Sequence, residues 1–229
     1  MNSRDAFITG ATGFMGSRLS AELVRRGHTV RALVRPGSES KLVTGCEPVA
    51  GDALNADTYA AHVKGADTFV HLVGVAHPNP KKAAEFRNID LRSIQEAVRA
   101  ASQANVRHFV YLSVARPAPI MQDYQAVRAE GERIIRETGM AATFVRPWYV
   151  LGPGRRWPLL LAPMYALASL IPATRDGAER LGLVTIEQMT HALAWAVENP
   201  PSGIQIMERP QIRLGFAQSD DANQHAVVT

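Results

Sequence analysis

The stretch Asp5-Ala-Phe-Ile-Thr9, continued by Gly10-Ala-Thr-Gly13-Phe-Met-Gly16, passes from an apolar segment through three evenly spaced glycines into an amphipathic segment ending near Arg26. The first part reads as a buried strand and the last, from about Phe14, as a helix. A strand, a glycine turn and a helix N-terminus together present backbone N–H groups to a phosphate. Each glycine has its own reason to be there. Gly10 turns the chain sharply off the strand, Gly13 carries no side chain to block a pyrophosphate, and Gly16 lets the helix pack close to the sheet. Dinucleotide binding follows; a glycine-rich turn that binds nothing is the plainer alternative.

The rest of the chain fits that start. Its 229 residues suit one domain with a small appended lobe, and a hydrophobic fraction of 46% is ordinary for a protein with a real core. The net charge of +4 suits an anionic ligand, but no run of lysine or arginine points to nucleic acid. A single cysteine, Cys46, excludes an internal disulfide and fits a reducing, cytoplasmic setting. Met1-Asn-Ser-Arg leads directly into the first strand, so no signal peptide is expected. The histidines, His71 and His77 included, show no metal-ligand spacing, and no metal site is expected.

Further strands are read at about His28–Val34, Glu47–Ala50, Asp67–Val73, Arg107–Ser113 and Ala142–Arg146. Helices are read between them at about 57–64, at 81–104 as one long element, and at 122–137. Strands alternating with helices imply right-handed crossovers and a parallel sheet covered on both faces. The expected fold is a doubly wound α/β (Rossmann) sheet in the order 3-2-1-4-5-6 over residues 1–150. A small substrate or partner lobe follows at 151–215, with a possible strand at Leu181–Val184, a helix at Ile186–Glu198 and a last strand at Ile204–Met207. Residues 216–229 read as a polar, disordered tail. The stretch 157–173 is almost wholly apolar and uncharged but is broken by Pro158, Pro163 and Pro172. A bilayer span needs roughly 20 apolar residues, so a buried helix or a dimer contact is expected there, with a membrane or protein contact as the alternative.

The residue that ends the second strand of such a fold selects the cofactor, because a carboxylate there binds a free ribose 2′-OH and a basic residue binds a 2′-phosphate. Here it is Arg35, followed by Ser38, Ser40 and Lys41. An arginine fork suits phosphate, so NADP(H) is expected over NAD(H). A solvated arginine beside a turn is the alternative.

From Thr9 to about Met207 the chain resembles the short-chain dehydrogenase/reductase superfamily, in its atypical and extended branch. The resemblance rests on Thr9–Gly16, Gly51-Asp52, His71-Leu-Val-Gly74, Tyr111-Leu-Ser113, Tyr124 with Arg128, and Arg146-Pro-Trp-Tyr-Val-Leu-Gly-Pro153. It implies a cofactor cradle made by Gly10, Thr12, Gly13 and Gly16, with Phe14 and Met15 giving backbone contacts to the pyrophosphate. It also implies Asp52 and Ala53 beside the adenine, Leu72, Val73 and Gly74 along the ribose, and Pro147 and Trp148 flanking the nicotinamide. On the residues alone, Asp52 is equally a turn residue and Leu72 and Val73 equally core. Homodimers in relatives pair through helices corresponding to 81–104 and 122–137.

The superfamily's enzymes use Ser, Tyr and Lys, the last two four residues apart on one helix face. The resemblance assigns Ser113 to polarise a substrate carbonyl and Tyr124 to exchange the proton, and it puts Arg128 where the lysine belongs. Arg128 keeps the positive charge but does not deprotonate at working pH, which makes a proton relay through it improbable. A partly buried aromatic beside a surface charge is the alternative for this pair. Arg116, Arg155, Arg156 and His77 are further polar candidates. The expected function is NADP(H)-dependent oxidoreduction, or sugar-type epimerisation, of a small molecule. The alternative is an NAD(P)H-binding regulator or assembly factor without turnover.

Overall fold

The computed structural model describes residues 3–154, 160, 163, 167, 168 and 170–214. Its centre is a parallel sheet built from β1 (Asp5–Thr9), β2 (Thr29–Val34), β3 (Glu47–Ala50), β4 (Thr68–His71), β5 (His108–Leu112), β6 (Ala141–Val145) and β9 (Ile204–Met207). The spatial order is β3-β2-β1-β4-β5-β6-β9, all pairs parallel. The order expected from the sequence is therefore present, extended by the short strand Ile204–Met207, which returns to the main sheet beside β6.

The period-two alternation of the strands sends residues into two layers. Ala6, Ile8, Val30, Ala32, Val70 and Val110 share one core with α1 (Gly16–Arg25) and α5 (Ile186–Glu198). On the opposite face Phe7, Phe69 and Phe109 lie side by side in register, with ring centroids 5.2 and 5.1 Å apart. That aromatic row packs under α2 (Arg92–Gln103) and α3 (Gln122–Glu137), beside Ile94, Ala97 and Ile135. Two residues further along the strands the same row reads Thr9, His71, Tyr111 and Phe144. The sheet face thus gains the Thr9 hydroxyl, the His71 imidazole and the Tyr111 phenol toward its carboxyl end, where open α/β sheets bind ligands.

Several expectations need correction. The helix expected at 57–64 is two short 3-10 turns, Ala56–Thr58 and Ala60–Val63, the first capped by the Asn55 side chain. The long helix at 81–104 contains a π-helical turn at Phe86–Leu91, just before α2. Leu183–Thr185 (β8) does form a strand, but it pairs with Tyr149–Leu151 (β7), unexpected from the sequence, in a separate two-stranded sheet. A helix α4 runs from Pro172 to Leu181, where the expected helix was ending. Most of 157–173 and all of 216–229, with Arg155 and Arg156, lie outside the described residues. Within 157–173 the described Leu160, Leu167, Leu170 and Ile171 are exposed rather than buried. No helix among the described residues is long and apolar enough to cross a membrane.

Candidate active site

The glycine turn is built as the spacing requires. Gly10 has φ +80°, and a methyl group on it would lie 2.8 Å from the Leu72 backbone carbon. A methyl on Gly16 would overlap the Gly10 carbonyl. Gly13 donates its N–H to Gly10 O at 3.0 Å and is itself exposed, as is Thr12. The helix that follows starts with no capping side chain and no acidic residue in its first turn. An uncapped, acid-free helix start beside a turn without side chains suits a pyrophosphate. Met15 packs onto the core, and the Phe14 ring carries the Arg18 guanidinium 4.6 Å above it.

The other expected cofactor residues lie at strand ends around this turn. Arg35 and Asp52 are exposed and follow β2 and β3. Ser38 donates its N–H to Arg35 O at 3.0 Å, closing the turn after β2. The Asp52 carboxylate accepts the Leu54 N–H at 3.0 Å, so it has a turn-forming role in its own right. Ala53 and Leu72 are half-buried against the two cores, Val73 is half-buried, and Gly74 is exposed. Pro147 O accepts the Ala115 N–H at 3.0 Å, and the half-buried Trp148 meets Tyr149 edge-on at 5.7 Å.

Tyr124 and Arg128 do share one face of α3. The Arg128 guanidinium lies 5.1 Å from the Tyr124 ring centroid, and Tyr124 packs on Phe86 at 5.1 Å. Arg128 is 3% exposed, so the reading of it as a surface charge is wrong. It donates to Leu112 O at 2.9 Å, at the carboxyl end of β5, and pairs with the fully buried Asp90 at 2.6 Å. Its Nε is buried without a hydrogen-bond partner among the described residues. Arginine stays charged here as elsewhere.

Ser113 stands apart from this pair in its bonding. Its buried hydroxyl donates to Glu132 Oε1 at 2.6 Å. Glu132, 1% exposed, also accepts from Arg116 Nη2 at 2.6 Å and from Arg146 Nε at 2.8 Å. Burial works against the Glu132 charge, but the hydrogen bonds from Arg146 and Ser113 outweigh it and hold the carboxyl below its usual range. Ser113 has one proton, and Glu132 holds it, so in this arrangement Ser113 has none to offer a substrate carbonyl. Beside the cluster an open depression of ≈ 400 Å³ is lined by Arg116, Gln122, Gln125, Ala129 and Arg146, among others.

Sequence reading missed Asp90 and Glu132. A signal was there: Phe86, Asp90 and Ile94 follow one another at four-residue spacing, as do Tyr124, Arg128 and Glu132. An acid on the same stripe as core residues is either buried and paired or misplaced. His71, read as part of the fourth strand and as no metal ligand, is fully buried, with Nδ1 2.8 Å from Thr9 Oγ1 and Nε2 3.3 Å from Ser93 Oγ. Burial, with a smaller effect of Arg128, pushes its pKa down to about 3. His77 is exposed. No cluster among the described residues has the makings of a metal site.

Fold and site together define a dinucleotide-binding protein of the Rossmann type. The family model described as NAD(P)H-binding matches residues 10–155, and the chain belongs to that family, within the short-chain dehydrogenase/reductase superfamily. It is 28% identical over 199 residues to a ceramide reductase of Caulobacter vibrioides, covering 86% of this chain and 62% of the relative. It is 26% identical over 168 residues to a 4-hydroxy-2-methyl-3-oxo-4-farnesyl-3,4-dihydroquinoline-1-oxide ketoreductase of Stigmatella aurantiaca, covering 64% of this chain and 50% of the relative. Among solved structures, the Bordetella bronchiseptica enzyme WbmH in complex with NAD+ superposes with a TM-score of 0.66 at 20% identity, over 89% of this chain and 75% of that one. The chain thus spans less than two thirds of the length of these two curated relatives.

Proposed function

We propose that this protein is an NADP(H)-dependent reductase of a ketone carried on a long apolar molecule. The observation that carries the reading is the stacking of Tyr124 against the buried Arg128 cation at 5.1 Å, beside the carboxyl ends of β4 and β5. The glycine turn fits the pyrophosphate, and the exposed Arg35 supports a 2′-phosphate over a free 2′-OH. When bound, the nicotinamide supplies hydride chemistry. The chain's own part is to hold the cofactor at Gly10, Thr12, Gly13, Gly16 and Arg35, and to deliver a proton from Tyr124 Oη to the carbonyl oxygen. Arg128 fixes that phenol by cation–π contact. Both curated relatives named above act on molecules with a lipid chain, ceramide in one and a farnesyl group in the other. The exposed Leu160, Leu167, Leu170 and Ile171 are in keeping with an apolar substrate.

The test is NADPH oxidation, followed by absorbance, with ketones bearing long alkyl or isoprenyl chains and with short ketones as controls. Turnover of the long ketones that falls at least 100-fold in Tyr124→Phe, within the range for a general acid, is the expected result. Turnover untouched by that substitution removes Tyr124 from the chemistry. A second reading, cofactor binding without turnover, draws support from the capture of the Ser113 proton by Glu132. It predicts tight NADPH binding and no oxidation with any ketone of the panel.

A further inference from the structure

Asp90 has no part in the roles assigned above, yet both of its carboxylate oxygens are engaged beside the site. It closes the π-helical turn Phe86–Leu91 and is fully buried. Its Oδ1 accepts from Arg128 Nη2 at 2.6 Å, and its Oδ2 accepts the Val75 N–H at 2.9 Å. The guanidinium it holds is flanked by Tyr111 at 5.7 Å and Tyr124 at 5.1 Å. A methyl group on Gly74 would overlap that guanidinium. One carboxylate, two rings and a bare backbone position therefore leave the cation a single seat. A π-turn inside a helix commonly marks a functional position, and here it brings Asp90 to Arg128.

A carboxylate in contact with a cation opposes that cation's field on its neighbours. Alone, Arg128 favours the ionised form of Tyr124. Asp90 favours the neutral form. We propose that Asp90 is a positioning residue that seats Arg128 against Tyr124 and cancels most of that cation's charge at the phenol. This rests on the reading of Tyr124 as the proton donor. In that step NADPH gives a hydride to the carbonyl carbon and the carbonyl π-pair moves to oxygen. That oxygen takes the Tyr124 proton, and the tyrosinate is reprotonated from water. The charge setting at Tyr124 comes from few groups. On the segment packed against α3, Lys82 pairs with Glu85 at 3.6 Å, while Lys81 and Arg87 are exposed to solvent screening. On α2, Glu96 is paired with Arg92 and Arg99. The sheet contributes Tyr111, a neutral phenol, and β6 contributes no charge. On α3 itself Asp123 is exposed, and the buried Glu132, two helical turns beyond Tyr124, is paired with Arg116 and Arg146, which leaves Asp90 and Arg128 as the buried charges beside Tyr124.

The experiment is an NMR titration of the full chain labelled with 13Cζ-tyrosine, with the Tyr124 signal assigned by its loss in Tyr124→Phe. It reads the phenol directly and needs no turnover. In Asp90→Asn the Tyr124 pKa is expected to fall by about 1 unit, the scale of one nearby charge. In parallel, the alkaline limb of the kcat/KM profile for ketone reduction moves down by the same amount. A merely structural loss would lower the whole profile without moving the limb. A folded Asp90→Asn protein with an unmoved Tyr124 pKa overturns the proposal. Asp90→Asn strands a buried guanidinium, so the double variant Asp90→Asn/Arg128→Met, with no charge left at the site, decides the matter if the single one does not fold. A Tyr124 pKa within about 0.5 unit of the parent is expected there, and a rise of about 1 unit or more, the mark of an uncancelled cation in the parent, overturns the proposal. Turnover retained in Tyr124→Phe would instead sink the reading of Tyr124 as proton donor, while the titration still reports on Asp90.

Discussion

Replacing Glu132 by glutamine tests how much of the fold depends on the buried charge cluster. The amide keeps the shape, and its oxygen still accepts the Ser113 hydroxyl. The charge is lost, and with it the partner of two arginines. Arg116 has a side chain 33% exposed and turns to water. Arg146 has a side chain 10% exposed and keeps only Glu208, at 3.5 Å. Removing one partner of a buried pair costs about 3–5 kcal/mol; retention of the Glu208 contact places this case near ~3 kcal/mol. In a chain of this length that lowers Tm by about 6–12 °C. The assay is thermal unfolding at pH 7 followed by circular dichroism, with Arg133→Met as control. Arg133 pairs with Glu130 and Glu137 at the surface, more than half exposed, and solvent screening makes its loss nearly neutral for stability. The carboxyl of folded Glu132 is held below its usual value of 4.5. The stabilisation it gives is therefore present above that pH and fades as pH falls, and the difference between parent and variant shrinks in acid. A Glu132→Gln protein melting within about 1 °C of the parent at pH 7 would refute the reasoning.

Arg35→Ala is expected to weaken NADPH binding by about 10- to 100-fold, the worth of a charge-assisted hydrogen bond to phosphate, with NADH unaffected; equal effects on both in calorimetric titrations would remove Arg35 as the selector. His108 lies buried between Thr68 and Thr143, and burial, with a smaller effect of Arg4, pushes its pKa down from 6.5 to about 4. The unfolded chain takes up a proton there before the folded one does. Stability is then lost as pH falls from 6.5 towards 4, by up to about 3 kcal/mol, and His108→Gln should flatten that part of a urea-unfolding series. Gly16→Ala pushes a methyl into the Gly10 carbonyl and should cost about 1–3 kcal/mol together with most of the NADPH affinity, whereas alanine at Gly203, with no atom within 4 Å of the added carbon, should leave the affinity intact.

Elements with a strong local code were legible in the sequence. β3, the helix at 122–137 and the helix at 186–198 stand where periodicity puts them, the last with a capping box between Thr185 and Gln188. Segments whose shape depends on neighbours were misread. Residues 56–63 have helical composition but fold into short turns, where Tyr59 stacks on Phe7 at 5.8 Å. The strand Tyr149–Leu151 exists because Leu183–Thr185 pairs with it, and no local pattern announces a partner so distant in the chain.

The candidate site divides in the same way. The spacing Gly10, Gly13 and Gly16 by itself pointed to a strand, turn and helix of the kind that suits a dinucleotide, because the positive φ at Gly10 and the close approach at Gly16 admit no side chain. Tyr124 and Arg128 were placed on one face by the helical repeat alone. Only the tertiary structure decided what those side chains touch. It gave the Ser113 proton to Glu132, and it buried Arg128 against Asp90, a partner 38 residues away in sequence. A local repeat fixes direction along one element; whether a charge that points inward meets its opposite depends on how two elements pack.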